Sequence, residues 1–250
     1  MDISEHQRIK SKQIKRHPWE SARLKFITHL LKKHKAKFDH ILDLGSGDVY
    51  VLNNLVKANL AFHYTAIDTA FTKEVMSNLQ VEPVIQMFQN VPEVIAPQSD
   101  CVLLLDVLEH CDNDKGVLDS LNHGKLIQNN ALFLITVPAF QFLFGEHDIL
   151  LGHYRRYNIR QLKQMITSAG LKEIECGYFF FTLLLLRFVQ TKTSSLITNK
   201  QSKTIDNWER SSLVTKMLEW VLILDFKMGR LFHKVGVQIP GLSAYCLCKA

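Results

Sequence analysis

Ile41-Leu-Asp-Leu-Gly-Ser-Gly47 is an apolar run interrupted by one acid and closed by two glycines. With His40 it reads as a buried strand turning directly into a helix that runs to Leu60, and the missing side chains open backbone amides at the helix N-terminus to a ligand. Outward from this turn the pattern repeats. Residues 62–67 read as a second strand ending in Asp68, residues 72–79 as a helix, and residues 83–87 as a short third strand. Asp100-Cys-Val-Leu-Leu-Leu105 is nearly all apolar, as expected of a strand covered by helices on both faces. A helix over 116–126 and a strand over 131–137 follow, and five such alternations imply a parallel, doubly wound α/β sheet.

Beyond Pro138 the rhythm breaks until a helix over 159–169, ended by Gly170 as a C-cap. Strands six and seven fall at 173–179 and 242–248. Between them an apolar helical insertion, about 180–238, contains a polar patch over 191–204 that reads as a mobile loop. At the other end, Trp19, Ala22, Phe26, Ile27 and Leu30 recur at helical spacing after Pro18, with lysines from Lys32 to Lys37 near the helix end. The expected organisation is a helical lid over 1–38 and one α/β domain over 39–250.

The chain has 250 residues, 47% apolar and 22% charged, which excludes disorder as the default. A net charge of +6, concentrated in 8–16 and 25–37, reads either as a solvated basic face or as attraction to an anionic partner. Five cysteines without paired CxxC motifs, and no signal-peptide core, point to reduced thiols in the cytoplasm. Cys246 and Cys248 share one strand face, and no metal site is expected. No stretch reaches the roughly 18 uninterrupted apolar residues that span a bilayer. The apolar segments 178–189 and 213–232 read as core helix, as homodimer interface, or as peripheral contact with the inner face of a membrane.

Sheets of this kind bind ligands at the carboxyl ends of their strands. Asp43, Gly45, Ser46 and Gly47 lie after strand one. Asp68 ends strand two, where a carboxylate can accept both hydroxyls of an adenosine ribose or simply cap a helix. An adenosine-containing cofactor follows, either a dinucleotide or S-adenosylmethionine. Asp100-Cys-Val-Leu-Leu-Leu-Asp-Val-Leu-Glu-His110 and Leu162-Lys-Gln-Met-Ile-Thr-Ser-Ala-Gly-Leu-Lys-Glu173 resemble motifs of class I S-adenosylmethionine-dependent methyltransferases, especially the group with the ubiquinone and menaquinone enzymes. The resemblance covers roughly 16–189 and the last strand.

It implies a Rossmann-like, seven-stranded, mostly parallel sheet with helices on both faces, and S-adenosyl-L-methionine as cofactor. By position, Asp43 and the Gly45-Ser46-Gly47 turn would hold the methionine portion, Asp68 the ribose, Phe88 and Gln89 the adenine, and Asp106 the methionine end. Phe88 also reads as core, and Glu109 with His110 as caps of the next helix. One departure is Val49, which stands where the family commonly has a third glycine.

Residues 137–157 resemble a bacterial methyltransferase subgroup with a His-Asp…Gly-His-x-Arg-Arg-Tyr stretch after strand five, often preceded by an element like Arg16-His-Pro-Trp-Glu-Ser-Ala-Arg23. The loop is expected to overhang the open end of the sheet. Methyl transfer needs an acceptor positioned and its proton removed. His147, beside Asp148, is the first base expected and His153 the second; the alternative is a loop closed by His–Asp and Arg–Asp pairs without proton transfer. Arg155, Arg156 and Tyr157 are expected at the acceptor, the arginines on its phosphate or carboxylate. O-methylation of a small-molecule, glycan or lipid-linked acceptor is the expected chemistry. No Asn-Pro-Pro-Tyr motif or RNA-binding module supports nucleic acid. The rivals are a catalytically silent S-adenosylmethionine-binding scaffold and an NAD-dependent enzyme, though no Tyr-x-x-x-Lys pair follows strand five.

Overall fold

Successive strand residues face opposite sides of a sheet, and here both sides are apolar. Ile41, Leu103 and Leu134 enter one core, while Leu42, Leu104 and Ile135 enter the other. A computed structural model describes residues 16–194 and 211–250; the basic run 8–15 and residues 195–204 of the polar patch lie outside the described residues. Its strands are β1 (Phe38–Leu44), β2 (Ala61–Ile67), β3 (Ile85–Phe88), β4 (Ser99–Leu105), β5 (Ile127–Pro138), β6 (Lys172–Phe179) and β7 (Ser243–Lys249). They lie in the order β3-β2-β1-β4-β5-β7-β6. β1 to β5 are mutually parallel, and β7 is inserted antiparallel between β5 and β6. The order reverses between β1 and β4, which opens a crevice at their carboxyl ends.

Helices α1 (Pro18–His34) and α2 (Tyr50–Lys57) cover the first core, α3 (Lys73–Asn78) lies beyond β2, and α4 (Asp114–Asn122) and α6 (Ile159–Ser168) cover the second core. The short α5 (Glu146–Leu150) sits in the long connection after β5. Far from being only a cover, α1 buries Ala22, Phe26, Ile27, Leu30 and Leu31 against the sheet. Its start is fixed by His17, whose ring accepts from the Trp19 amide while Glu20 accepts from the His17 amide.

The insertion forms α7 (Phe181–Ser194) and α8 (Ser212–Lys234). Phe226 of α8 meets Phe26 of α1 edge to face at 4.5 Å, and Asp225 accepts from the Thr182 amide at 2.9 Å, tying α8 to the start of α7. No described helix is long and apolar enough to cross a membrane. Cys246 and Cys248 both enter the second core. Cys176 and Cys246, directly opposite in the β6–β7 register, bring their sulfurs into contact, while Cys101, Cys111 and Cys248 are free.

Candidate active site

The turn after β1 is built on left-handed backbone. Gly45 and Gly47 have φ of 75° and 54°, and a Cβ on Gly45 would come within 2.5 Å of the Val107 side chain. Glycine is therefore required there by both conformation and packing. The Gly47 amide donates to Asp68 Oδ2 at 2.9 Å and the Ala70 amide to Asp68 Oδ1 at 2.9 Å, so the acid after β2 is oriented by backbone. Thr72, not Asp68, caps α3. Ser46 donates its hydroxyl to the Asp43 carbonyl. Asp43 is buried, its Oδ1 has no hydrogen-bond partner among the described residues, and burial pushes its carboxyl up to about 7. Such an orphaned acid suits the ammonium group of an amino-acid ligand.

Val49 occupies the third-glycine position with φ 60°, in the left-handed region, and is fully buried. The glycine-type turn is thus kept without the glycine. The ends of β2 and β3 are joined by the Asp68 amide on the Phe88 carbonyl. Phe88 packs partly against the second core, and Gln89 donates to the Thr69 carbonyl, placing both beside Asp68.

Asp106, at φ 58° after β4, is held by residues that the sequence reading gave no role. Arg23 contacts its Oδ2 at 2.8 Å and also donates to Thr136 on β5, whose hydroxyl donates to Asp106 Oδ1. Arg16 pairs with Asp48 and lies over the Tyr50 ring. The start of α1 and the residues just before it thereby deliver two guanidiniums to the carboxyl end of the sheet. The signal was the Arg16-to-Arg23 element itself, which sits nowhere near the crevice in sequence.

The connection after β5 contains both His–Asp and Arg–Asp pairs. Asp148, fully buried, accepts from His153 Nδ1 (3.0 Å), Arg156 Nε (2.8 Å) and the Gly145 amide (3.0 Å). Burial alone would raise this carboxyl, yet the bonds from His153 and Arg156 prevail and hold it well below the usual range. His147, adjacent in sequence, points elsewhere and is half-buried; burial, with Arg187 nearby, lowers its pKa. Adjacent residues on one helical turn project about 100° apart, which explains why His153 and not His147 meets Asp148.

Arg156 and Tyr157, expected at the acceptor, lie inside the loop. Both are buried and internally committed, Arg156 to Asp148 and Tyr157 through its hydroxyl to Asp114 at 2.8 Å, with the Leu108 carbonyl at 3.0 Å. Burial and the Asp114 carboxylate raise the Tyr157 phenol. Their internal bonds tie the loop to Asp148 and Asp114. Arg155 pairs with Asp114 at 3.1 Å and keeps about a third of its side chain exposed.

Glu109 and His110 do not cap α4, because Asn113 does so by accepting from the Gly116 amide. They belong to a single 3-10 turn, Leu108–His110, that begins two residues beyond Asp106. Glu109 is buried, with burial and then Asp106 raising its carboxyl well above the usual range. The Tyr154 amide donates to the Glu109 carbonyl at 2.7 Å, and the His110 and His153 rings meet edge to face at 4.6 Å.

A family model described as a methyltransferase domain matches residues 16–175, more than half of the chain. No curated protein matches. Among solved structures, the chain described as a methyltransferase in complex with the Haloferax volcanii Trm112 activator superposes with a TM-score of 0.56 at 12% identity, over 92% of this chain and 90% of that one. N-methyltransferase NodS from Bradyrhizobium japonicum WM9, in complex with S-adenosyl-L-homocysteine, gives 0.53 at 14% identity over 69% and 87%. These likenesses establish the fold. With the orphaned Asp43, the left-handed turn and the oriented Asp68 in the crevice, they complete the assignment: the chain belongs to the methyltransferase-domain family, with the class I fold whose cofactor is S-adenosylmethionine.

Proposed function

We propose that this methyltransferase methylates an oxygen of a small-molecule, glycan or lipid-linked acceptor, with His153 as the proton acceptor. The observation that carries the reading is the His153–Asp148 couple, held at 3.0 Å on the loop packed against the turn after Asp106. A buried carboxylate on Nδ1 fixes the ring and its tautomer, leaving Nε2 with the lone pair that a general base uses. S-adenosylmethionine supplies a methyl group on a cationic sulfur, already activated for displacement. This chain's part is to hold the cofactor at Asp43, the Gly45–Gly47 turn and Asp68, to place the acceptor oxygen, and to take its proton.

The test is release of S-adenosylhomocysteine with panels of polyols, phenols and extracted lipids, followed by kinetics of His153→Gln and His147→Gln on the acceptor found. Loss of about 10²–10⁴ in kcat for the first and little change for the second supports the assignment; the reverse order moves the base to His147. No turnover with any panel, despite cofactor binding, favours the silent scaffold.

A lipid-linked acceptor is favoured by α8. Leu213, Met217, Trp220, Leu224, Met228 and Leu231 form one stripe along the helix, each at least 40% exposed. Lys216, Lys227 and Lys234 are exposed on the same helix. An apolar stripe flanked by cations suits an anionic membrane surface. Between α1 and α8 lies a cleft of about 540 Å³, lined by Phe26, Phe180 and Leu222 and rimmed by Lys25, Lys33 and Lys227.

A further inference from the structure

Three ligating side chains converge where the turn after β4 meets the loop after β5. Glu109, His110 and His153 each offer one ligand atom, and these atoms lie within 4.8 Å of one another. Two further observations point to a ligand. Glu109 is only 1% exposed, yet its Oε2 has no hydrogen-bond partner among the described residues. A carboxylate oxygen buried in that way is costly unless a donor or a cation reaches it. The second observation is the tautomer of His153. Asp148 engages Nδ1, which leaves Nε2 as the ring atom that can donate a lone pair. A carboxylate fixing the far nitrogen is how metal-bound histidines are commonly oriented. Arg156 and the Gly145 amide hold that carboxylate in turn.

We propose that Glu109, His110 and His153 bind a divalent first-row transition ion, such as Zn²⁺ or Mn²⁺, which ligates the acceptor hydroxyl. Two imidazoles and a carboxylate form a ligand set suited to such ions, and three protein ligands leave a coordination position for an incoming oxygen. The site begins three residues beyond Asp106, at the carboxyl end of β4. Its chemical role rests on the oxygen-methylation reading. The ion acts as a Lewis acid and undergoes no redox change. It lowers the hydroxyl pKa so that the proton passes to solvent, and the oxygen–carbon bond forms as the carbon–sulfur bond of the cofactor breaks. With the ion bound, this replaces direct proton transfer to His153: Nε2 has one lone pair, so His153 acts as a ligand in the metal-loaded protein and as the base only without the metal.

The test needs no acceptor. Chelator-treated, dialysed full-length protein is titrated with Co²⁺, read by its visible absorption, and with Zn²⁺ in competition. One equivalent is expected. His110→Ala and His153→Ala should weaken uptake at least a hundredfold, and Asp148→Asn by about ten- to a hundredfold. His110 is exposed, and unfolding curves with S-adenosylhomocysteine titrations check that each variant is folded before its metal uptake is compared. Absence of stoichiometric uptake by the wild type, or full uptake by His110→Ala, overturns the metal site and leaves His153 as direct base. Failure to bind S-adenosyl ligands would strike the methyl-transfer reading instead, and the metal titration would be unaffected.

Discussion

Val49 is a β-branched residue in left-handed backbone, and its replacement by alanine and by glycine measures what that conformation costs. Its φ is 60° and its side chain is fully buried in the core beneath α2. Val49→Ala removes two methyl-sized groups, about 1.6 kcal/mol at roughly 0.8 kcal/mol each, before any cavity term. Glycine removes one more carbon, roughly 0.8 kcal/mol, and adds roughly 0.5–1 kcal/mol of backbone entropy. At a right-handed site glycine would therefore be the weaker of the two by about 1.5 kcal/mol. Here it also relieves about 1–2 kcal/mol of left-handed strain, which cancels that difference. The two variants are expected within about 0.5 kcal/mol of each other in urea or thermal unfolding. If glycine falls below alanine by the full 1.5 kcal/mol, or roughly 3–6 °C in Tm, the turn is not strained at Val49 and the reasoning fails.

Asp43 carries a pH signature. Because burial raises its folded pKa to about 7, its contribution to stability is present below pH 4 and lost as pH rises from about 4 to 7; Asp43→Asn should flatten that slope in melting experiments. If the ionised acid holds the cofactor ammonium, S-adenosylhomocysteine binds about tenfold more weakly at pH 6 than at pH 8 in the wild type, and equally at both in the variant. Arg23→Ala should cost about 1–2 kcal/mol in unfolding, because Asp106 is a third exposed and keeps Thr136; Arg23→Lys recovers only part, since one ammonium cannot make both contacts. Trp220→Glu with Leu224→Glu should abolish co-sedimentation with anionic vesicles at low salt. A wild type that stays in the supernatant ends the membrane reading, and concentration-dependent dimerisation reversed by the same pair assigns the stripe to a homodimer.

Much of the sheet was readable because its strands are buried on both faces, so Ile41 to Leu44 and Cys101 to Leu105 stand out as apolar runs bounded by turn residues. The alternation of strands with helices and the acids at the strand ends were readable in the same pattern, whereas the order of the strands in the sheet was not. Side-chain partners were harder. His147 and Asp148 are neighbours in sequence, which says nothing about direction on a helical turn, and it is the His153 ring that meets Asp148. Arg156 and Tyr157 looked available because charge and hydroxyl suggest solvent, whereas their partners Asp148 and Asp114 bury them. Long-range contacts such as Arg23 with Asp106 and Glu109 with His153 depend on how α1 and the β5 connection fold back across the crevice. The β6–β7 register, which brings Cys176 to Cys246, is set by antiparallel pairing that composition does not encode.

Calorimetric titration of S-adenosylmethionine, S-adenosylhomocysteine and NAD into the wild type and Asp68→Ala tests the cofactor site most directly. Asp68 orients the Gly47 and Ala70 amides as well as facing the crevice. Loss of charge-assisted bonds should cost about 1.5–3 kcal/mol, or roughly ten- to a hundredfold in affinity for both adenosyl ligands, with NAD not binding to either protein. Binding of NAD alone, or adenosyl binding unchanged by the substitution, would contradict the placement of the cofactor in this crevice.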